Sequence, residues 1–441
     1  MNDQLINDPE VSAQDAALLP TKCPFTFREM PADAAFSPYV DNERGDYQLP
    51  EGWQGSGTIT FAMAGDRSSG KSLYIAVIVK LLRKLVIANG GSFRSADEHT
   101  RRIYEEKYEN PLFAQMGLLP PTPPASAADA HQTRPLIFDV STPAHQGQRL
   151  FVVFRDVAGE DLQEENFAQR QSELEFFKYA DRIIFLFDPM AVPRIRQLLE
   201  GSVESPEVGE DGPTTVLRNV LRVLGEEDRP KISLCLSKFD TMQRLAEVNQ
   251  QHLHYSGANM VNWQRVMRNF GATFRRDSAA LDAPFDRTGI ELLDLEIRSM
   301  LECLDATQLL NQLNQPLLGV QSYEFSCFAV SALGAPPEGD RIARTGIAPF
   351  RCLDPIRDVL AERGLFDGPV HRELPRVMWG NAVAAGAQVS GEAASHPTLS
   401  LQSPNSAGLQ PLTEEVPAVG ATAVASAPVE PKKRRFWRWG R

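Results

Sequence analysis

Apolar runs and amphipathic segments alternate along the chain between about residue 58 and residue 365. Runs rich in β-branched and aromatic residues predict buried strands, at 58–64, 136–140, 150–155, 182–188, 232–236 and 322–330. Apolar residues spaced three and four apart predict helices, at 71–87, 169–179, 192–199, 214–224 and 355–363, with several more between 241 and 310. This alternation is typical of an α/β fold with a mostly parallel sheet and helices on both faces.

The composition changes at both ends of this region. Residues 1–50 are acidic and contain proline, which predicts an irregular extension. An ordered domain is expected over 51–370, with a helical insertion at about 241–310 and a loop over 118–133. Small residues and proline dominate from about residue 385 to residue 430, which predicts a flexible, disordered linker over 371–430, because such residues bury too little apolar surface to offset the entropy of ordering.

Charge is distributed unevenly along the chain. The whole sequence of 441 residues carries a formal charge of −12. The last eleven residues, PKKRRFWRWGR, contain six Lys or Arg and no acid, so the rest of the chain carries −18, with 39 basic against 57 acidic side chains. The basic, aromatic tail over 431–441 suits an anionic membrane or a protein partner. No specific nucleic-acid partner is indicated.

Composition also restricts the compartment and the chemistry. The amino-terminal sequence lacks a basic start followed by an apolar run, and no apolar stretch reaches the length of a bilayer span, so a cytoplasmic protein is expected. The five cysteines form no paired metal motif, which fits a reducing compartment. His252 and His254 have no third ligand nearby in sequence and are interpreted as a solvated pair.

A glycine-rich segment follows the first predicted strand and opens the first predicted helix. Its residues are Gly65, Asp66, Arg67, Ser68, Ser69, Gly70, Lys71 and Ser72. The glycines let the backbone wrap around phosphates, and the new helix presents its positive end. Lys71 would reach the β- and γ-phosphates, and the Ser72 hydroxyl would ligate Mg²⁺. The alternative is a surface turn that merely caps a helix.

A carboxylate and a glycine follow the third predicted strand, in the sequence DVAGE. Asp156 lies at the carboxyl end of that strand, on the edge of an open α/β sheet where ligands bind, which suits a carboxylate on the magnesium side. Gly159 would let a backbone amide approach the γ-phosphate. An Asp followed three residues later by a Gly is common in any sequence. The position of Asp156 and Gly159 directly after an apolar strand favours the functional interpretation.

Two further strands end in residues that suit recognition of guanine. After the strand KISLCL come Ser237, Lys238 and Asp240. The Asp240 carboxylate could accept the ring N–H and the exocyclic amine of guanine, which adenine cannot supply in that pattern, while the Lys238 stem covers the base. After the strand YEFSCFAV, backbone amides could meet the guanine carbonyl oxygen, in a turn formed by Ser331, Ala332 and Leu333. The alternative for Lys238 and Asp240 is a solvated loop pair.

The ordered series GDRSSGKS, DVAGE, SKFD and SAL resembles the nucleotide-binding motifs of translation-factor-related GTPases, the superclass of P-loop NTPases that includes Ras-like proteins. Within it, the wide spacing and the FLFDP strand resemble bacterial double-GTPase domains, which are often thought to act in multi-protein conflict or defence systems. The resemblance covers roughly residues 58–365. It implies that Gly65 through Ser72 bind phosphate and Mg²⁺, and that Asp156 holds Mg²⁺ through water. It further implies a γ-phosphate contact at Gly159 and a guanine site at Lys238, Asp240 and Ala332.

The chain departs from that pattern at two positions. Ser237 replaces the usual Asn or Thr and keeps a small hydroxyl. Glu160 replaces the glutamine that orients the attacking water in Ras-like proteins, so its carboxylate acts either as a base or as a group that repels the γ-phosphate. Lys71, Gly159 and Glu160 are thus the candidate catalytic residues. The threonine that closes over Mg²⁺ is either Thr122 or Thr133.

The leading hypothesis is a slowly hydrolysing GTP switch that alternates between GTP and GDP and binds protein effectors in a bacterial system. Arg67 either stabilises transition-state charge or points outward into solvent. A second hypothesis is a recruitment module that holds GTP without useful hydrolysis. A third is a P-loop kinase or ATPase with a lid of arginines, which would be Arg265, Arg268, Arg275 and Arg276, although their spacing more often marks a solvated helix face.

Overall fold

The computed structural model describes residues 18–41, 47–120, 122–127, 130, 133–143, 147–203, 212–225, 229–248, 261–315, 321–339 and 341–366. The predicted linker over 371–430, the basic tail over 431–441 and the pair His252 and His254 lie outside these residues. The first 17 residues of the predicted extension lie outside them as well.

A seven-stranded sheet forms the centre of the fold, in the order β2-β3-β4-β1-β5-β6-β7. β1 pairs in parallel with β4 and β5, and β5, β6 and β7 continue the parallel part. β3 runs antiparallel to both β4 and β2. The strands are Gly57–Gly65 (β1), Ser92–Ser95 (β2), Leu136–Ser141 (β3), Leu150–Arg155 (β4), Arg182–Phe187 (β5), Ile232–Leu236 (β6) and Phe325–Ala329 (β7). The predicted α/β fold with a mostly parallel sheet is confirmed.

The ten α-helices of the described residues surround this sheet. All nine residues of β1 are buried, and since successive side chains of a strand point to opposite faces, both faces of the sheet are covered. The helices are Lys71–Ala88 (α1), Glu98–Ile103 (α2), Glu164–Arg170 (α3), Pro193–Leu199 (α4), Pro213–Leu224 (α5), Phe239–Gln243 (α6), Trp263–Met267 (α7), Arg287–Cys303 (α8), Thr307–Asn314 (α9) and Asp354–Glu362 (α10).

Several elements differ from the sequence-based expectation. The predicted helix over 169–179 is wrong in type, because α3 ends at Arg170 and Gln171–Tyr179 forms a 3₁₀ helix. Leu174 and Phe177 are buried there and lie three residues apart, which aligns them on one face of a three-residue turn. Strand β2, helix α2 and the π-helical segment Tyr104–Ala114 were not predicted. The last predicted strand, 322–330, is shorter in the structure, at Phe325–Ala329.

The described part of the amino-terminal extension packs against the domain. Cys23, Phe25 and Phe27 are buried, although the segment forms no helix and no extended strand. Lys22 Nζ lies 3.0 Å from Asp181 Oδ1, and the Trp53 indole donates to the Lys22 carbonyl at 3.1 Å. The irregular extension is therefore attached to the sheet by both apolar and polar contacts.

All five cysteines are free thiols, and every one except Cys303 is buried. Among the described residues, no helix combines the length and the apolar character that crossing a membrane requires.

Replacing Asp181 with alanine should lower the free energy of unfolding by about 3 kcal/mol, because it leaves the donors of Lys22, Thr60 and Arg363 without their carboxylate acceptor. Its carboxylate accepts from Lys22 Nζ at 3.0 Å, from Arg363 Nη2 at 2.6 Å and from the Thr60 amide at 2.8 Å. Urea denaturation of the nucleotide-free protein measures the change. As a control, Glu105→Ala removes an exposed partner of Arg101 and should cost about 1 kcal/mol or less. Equal effects of the two substitutions would contradict this account.

Candidate functional site

The loop that joins β1 to α1 curls tightly at the carboxyl edge of the sheet. Gly65 has a φ of 150°, and a Cβ there would lie 2.2 Å from the Leu186 carbonyl oxygen of the neighbouring strand, so only glycine fits. Ser68 adopts a positive φ of 63°, and Gly70, with a φ of 84°, is the N-cap of α1. Ser69 is buried, and its hydroxyl has no hydrogen-bond partner among the described residues. The loop therefore presents the start of α1 and a buried hydroxyl at one place.

Lys71 extends back across this loop. Its ammonium group is buried and donates to the Gly65 carbonyl at 3.0 Å. Burial lowers the pKa of Lys71, while the charges of Asp156 and Asp66 act in the opposite direction. Asp66 is itself buried and accepts from the Arg67 amide at 2.6 Å. A helix cap does not require a buried ammonium group, so the placement of Lys71 argues against a surface turn that merely caps α1.

Asp156 follows β4, which pairs in parallel with β1, so its carboxylate lies at the same edge as the loop. Oδ1 accepts from the Val157 amide at 2.9 Å. Oδ2 is buried and has no partner within normal hydrogen-bond geometry among the described residues. Burial raises the pKa of Asp156 to about 6, and the Lys71 charge opposes this shift. The carboxylate is thus held in a position where a cation would stabilise it.

The Ser72 hydroxyl lies 2.6 Å from the Thr122 hydroxyl. Thr122 also affects Asp156, because its hydroxyl lowers the pKa of that carboxyl. Thr133, the other candidate, is exposed and donates to the Ala130 carbonyl at 3.0 Å. The geometry therefore brings Thr122, and not Thr133, to the residues predicted to hold Mg²⁺.

The oxygens of Asp156, Ser72 and Thr122 are of the kind that magnesium takes as ligands. Mg²⁺ is usually held by one or two carboxylates or hydroxyls together with water and substrate phosphates, and no all-protein cage is needed. Across the described residues, no group of three or more His, Cys, Asp or Glu side chains is arranged to hold a metal ion. Within the described part of the chain, the Asp156 carboxylate, with its unpartnered Oδ2, and the Ser72 and Thr122 hydroxyls fit a magnesium ion that also takes ligands from a phosphate.

The segment after Asp156 packs directly on the phosphate loop. A Cβ at Gly159 would lie 2.6 Å from the Arg67 amide nitrogen, so the close approach of the two backbones requires glycine. Glu160 Oε1 lies 3.6 Å from Arg67 Nη1 in a partly exposed pair. Asp161, which was not predicted, is buried and accepts from the Ala125 amide at 3.0 Å. It ties the segment around Thr122 to the segment that follows Asp156.

Lys238 and Ser237 are fixed after β6 by contacts with the end of β5. Lys238 adopts a left-handed conformation, with a φ of 47°, and its Nζ lies 2.6 Å from Asp188 Oδ2. The Ser237 hydroxyl donates to the Phe187 carbonyl at 2.8 Å. Asp188 was not predicted as a site residue. It carries the same signal that identified Asp156, a carboxylate directly after a buried strand.

Asp240 and the turn after β7 meet in the structure. The Ser331 hydroxyl lies 2.5 Å from Asp240 Oδ1 and accepts from the Gly334 amide at 2.9 Å. Burial raises the pKa of Asp240, and the Ser331 hydrogen bond opposes that shift. Leu333 is buried and its carbonyl accepts from the Ala348 amide, while Ala332 is half-buried. The two predicted guanine-binding loops are therefore joined by a direct hydrogen bond.

The four arginines of the kinase hypothesis show no lid-like geometry. Arg265, Arg268 and Arg276 are exposed, and the Arg275 guanidinium lies 5.7 Å from the centre of the Phe270 ring. This placement favours a solvated surface.

Some solved structures share weak overall similarity with this chain. The bacterial selenocysteine-specific elongation factor EF-Sec is 15% identical with a TM-score of 0.24, covering 69% of this chain and 29% of that protein. The Arl6 BBS3 small GTPase from Trypanosoma brucei, with bound GppNp, is 11% identical with a TM-score of 0.25, covering 70% and 98%. The GTP-bound GTPase-like domain of Ski7 from S. cerevisiae is 11% identical with a TM-score of 0.28, covering 76% and 54%. The chain thus spans less than a third of EF-Sec and about half of the Ski7 domain. Superpositions this poor do not bear on its function.

Sequence similarity is much stronger. A curated relative, the putative ESX-1 scaffolding and assembly protein SaeC of Mycolicibacterium smegmatis (strain ATCC 700084 / mc(2)155), is 39% identical over 319 residues, which cover 72% of this chain and 78% of SaeC. The profile of the Double-GTPase 2 family matches residues 59–287, which contain the phosphate loop, Asp156 and Asp240. The chain therefore belongs to the Double-GTPase 2 family.

Proposed function

We propose that this protein is a GTP-binding switch that hydrolyses GTP slowly, with residues 51–370 as the GTPase domain. The observation that carries the proposal is the buried carboxylate of Asp156, whose Oδ2 has no partner in normal hydrogen-bond geometry among the described residues. It lies beside the buried Lys71 ammonium and the Ser72–Thr122 hydroxyl pair. Buried charges without full partners are costly and concentrate at functional sites. A magnesium triphosphate supplies both a cation for Asp156 and anions for Lys71.

In this proposal Ser72, Thr122 and Asp156 hold Mg²⁺, with Asp156 acting through water. The metal ion neutralises charge on the β- and γ-phosphate oxygens when it is bound. The backbone from Gly65 to Ser72 wraps the phosphates, and Lys71 contacts the β- and γ-phosphates. Gly159 places its amide beside the γ-phosphate, because its backbone packs directly on the phosphate loop, where a Cβ would lie 2.6 Å from the Arg67 nitrogen.

The base contacts come from the other end of the same edge. Asp240 keeps a carboxylate oxygen for the ring N–H and exocyclic amine of guanine, while Ser331 engages Oδ1. Asp188 fixes the Lys238 ammonium, so that the Lys238 stem lies along the base. Ser237 anchors the loop, and the amides of Ala332 and Leu333 meet the guanine carbonyl oxygen.

For hydrolysis, we assign Glu160 to the attacking water and Arg67 to the charge that develops on the γ-phosphate. The pair that they form is partly exposed, so little energy is lost when each turns towards substrate. The same pairing supports a second candidate, a module that holds GTP without useful hydrolysis, because Glu160 engaged with Arg67 cannot orient water. Single-turnover measurement separates the two, since bound GTP that survives for many hours favours the module.

The cellular role is inferred from the relative. SaeC is described as a putative scaffolding and assembly protein of ESX-1, which supports a role for this chain with protein effectors in a multi-protein bacterial system. In this proposal the protein acts in the cytoplasm, and the basic segment 431–441 adds contact with a partner or an anionic membrane.

Replacing Lys71 with alanine should abolish GDP release from GTP with Mg²⁺, lowering the rate by about 100-fold or more, because one stabilising charge at the γ-phosphate is lost. Chromatographic assay of GDP measures the rate. Lys84→Ala, which changes an exposed lysine of the same helix, should leave it unchanged. Equal release from wild type and Lys71→Ala would refute the proposed site.

Replacing Asp240 with asparagine should shift preference from guanosine towards xanthosine triphosphate by about 100-fold. An amide can donate to the additional carbonyl oxygen of xanthine, where the carboxylate can only accept. Competition binding with the two nucleotides measures the ratio. A variant that keeps the wild-type preference would exclude Asp240 from base recognition and reopen the ATPase hypothesis.

The affinity for magnesium GTP should fall by about tenfold between pH 7 and pH 5, because Asp156, whose pKa is raised to about 6, must be ionised to hold the cation. The sign is opposite for the nucleotide-free protein. Ionisation of Asp156 costs folding energy, so its contribution to stability improves as the pH falls below 6. Calorimetric titration at both pH values measures the affinity. In Asp156→Asn, only the titration of the nucleotide itself should remain, and an unchanged pH dependence would contradict the assignment.

A further inference from the structure

A line of three hydrogen bonds, two of them buried and one partly buried, connects the phosphate end of the site with its base end. Tyr74 lies in α1, one turn after Lys71, and its hydroxyl donates to the Cys352 carbonyl at 2.8 Å. The Cys352 thiol donates to the Ser331 carbonyl at 3.1 Å. The Ser331 hydroxyl in turn lies 2.5 Å from Asp240 Oδ1. Four residues that are far apart in sequence thus join α1 to the carboxylate predicted to read the base.

The backbone around Cys352 is firmly attached to the turn that contains Ser331. The Ser331 amide donates to the Phe350 carbonyl at 3.0 Å, and the Phe350 amide donates back to Ser331 at 2.8 Å. The Phe350 ring stacks on Phe239, which precedes Asp240, with their centres 5.9 Å apart. A movement of residues 350–352 is therefore transmitted to both loops of the base site.

The Tyr74 hydroxyl is not needed to fill space. Tyr74 is 1% exposed, so a phenylalanine would occupy almost the same volume, and a buried hydroxyl is costly unless it is hydrogen-bonded. Its contribution to this structure is the bond to Cys352. That bond connects a helix that begins in the phosphate loop to a segment that carries the base loops.

We propose that Tyr74 is a positioning residue for guanine recognition, which acts through Cys352 and Ser331 to hold Asp240 at a fixed place relative to the phosphate loop. This inference rests on the proposed function. When the phosphate loop holds the phosphates of a nucleotide, the ribose fixes the distance from the phosphates to the base. The distance between the Asp240 carboxylate and the phosphate loop must therefore be fixed as well. Selectivity for guanine depends on that distance more than the overall affinity for nucleotide does.

The test compares GTP with inosine triphosphate, which lacks the exocyclic amine of guanine. The ratio of their dissociation constants, measured by calorimetry with Mg²⁺, reports the contact between Asp240 and that amine. Tyr74→Phe should reduce this ratio by about fivefold or more, because a displaced carboxylate discriminates less well. Tyr104→Phe is the matched control, since Tyr104 is as buried as Tyr74. Its hydroxyl also bonds to α1, where it donates to the Ala76 carbonyl at 2.9 Å. It should leave the ratio within about twofold of wild type.

Two further variants test the route through Cys352. Cys352→Ala removes the thiol that donates to the Ser331 carbonyl, and it should reduce the ratio of dissociation constants as much as Tyr74→Phe does. This variant keeps the route testable if Tyr74→Phe folds poorly. Cys352→Ser keeps a donor and should restore much of the discrimination. In a Ser331→Ala background, Tyr74→Phe should have almost no additional effect on the ratio.

The outcomes separate this inference from the function on which it rests. An unchanged ratio in both Tyr74→Phe and Cys352→Ala, or an equal decrease in Tyr104→Phe, would overturn the positioning role while leaving GTP binding in place. A wild-type protein that binds neither nucleotide would overturn both. Thermal unfolding without nucleotide, which reports the loss of a buried hydrogen bond in either tyrosine variant, should show similar losses for Tyr74→Phe and Tyr104→Phe.

Discussion

The parallel pairing of β1 with β4 and β5 is the constraint on which the site depends. Gly65 lies beside Leu186, and Ala62 lies beside Arg155, so the loops that follow all three strands leave the sheet at one edge. Lys71 and Asp156 are buried there and influence each other's pKa in opposite directions. Because desolvation opposes the charge on each group, the edge favours a ligand that brings compensating charges of both signs.

Buried carboxylates at the two ends of the strands differ in how completely they are hydrogen-bonded. At the amino edge, Asp181 is surrounded by donors at 2.6 to 3.0 Å, and its carboxylate holds the extension and the end of the domain together. At the carboxyl edge, Asp156 and Ser69 each retain an unpartnered oxygen among the described residues. The satisfied Asp181 stabilises the fold, while the unpartnered oxygens of Asp156 and Ser69 lie where a ligand can engage them.

The sequence predicted which loops meet at this edge, because a buried parallel strand followed by a glycine or a carboxylate is a local signal. It could not predict β2, since Ser92–Ser95 has no apolar run and becomes a strand only by pairing with β3. Thr122 could not be chosen over Thr133 either, because a long loop has no register until it folds. Tyr74 follows the same pattern as the apolar residues of α1, so the sequence could not single it out, and the proposed positioning role depends on where its hydroxyl lies.

The segment after Asp156 contains two acidic residues with different degrees of freedom. Glu160 pairs with Arg67 at 3.6 Å, and both side chains are partly exposed, so the pair contributes about 1 kcal/mol or less and is easily exchanged for other contacts. Asp161 is buried and accepts from the Ala125 amide, so breaking its contact leaves a buried acceptor unpaired. Within the proposed switch, Glu160 is therefore the group that responds to the γ-phosphate. Asp161 connects that response to the segment around Thr122 through its hydrogen bond with the Ala125 amide.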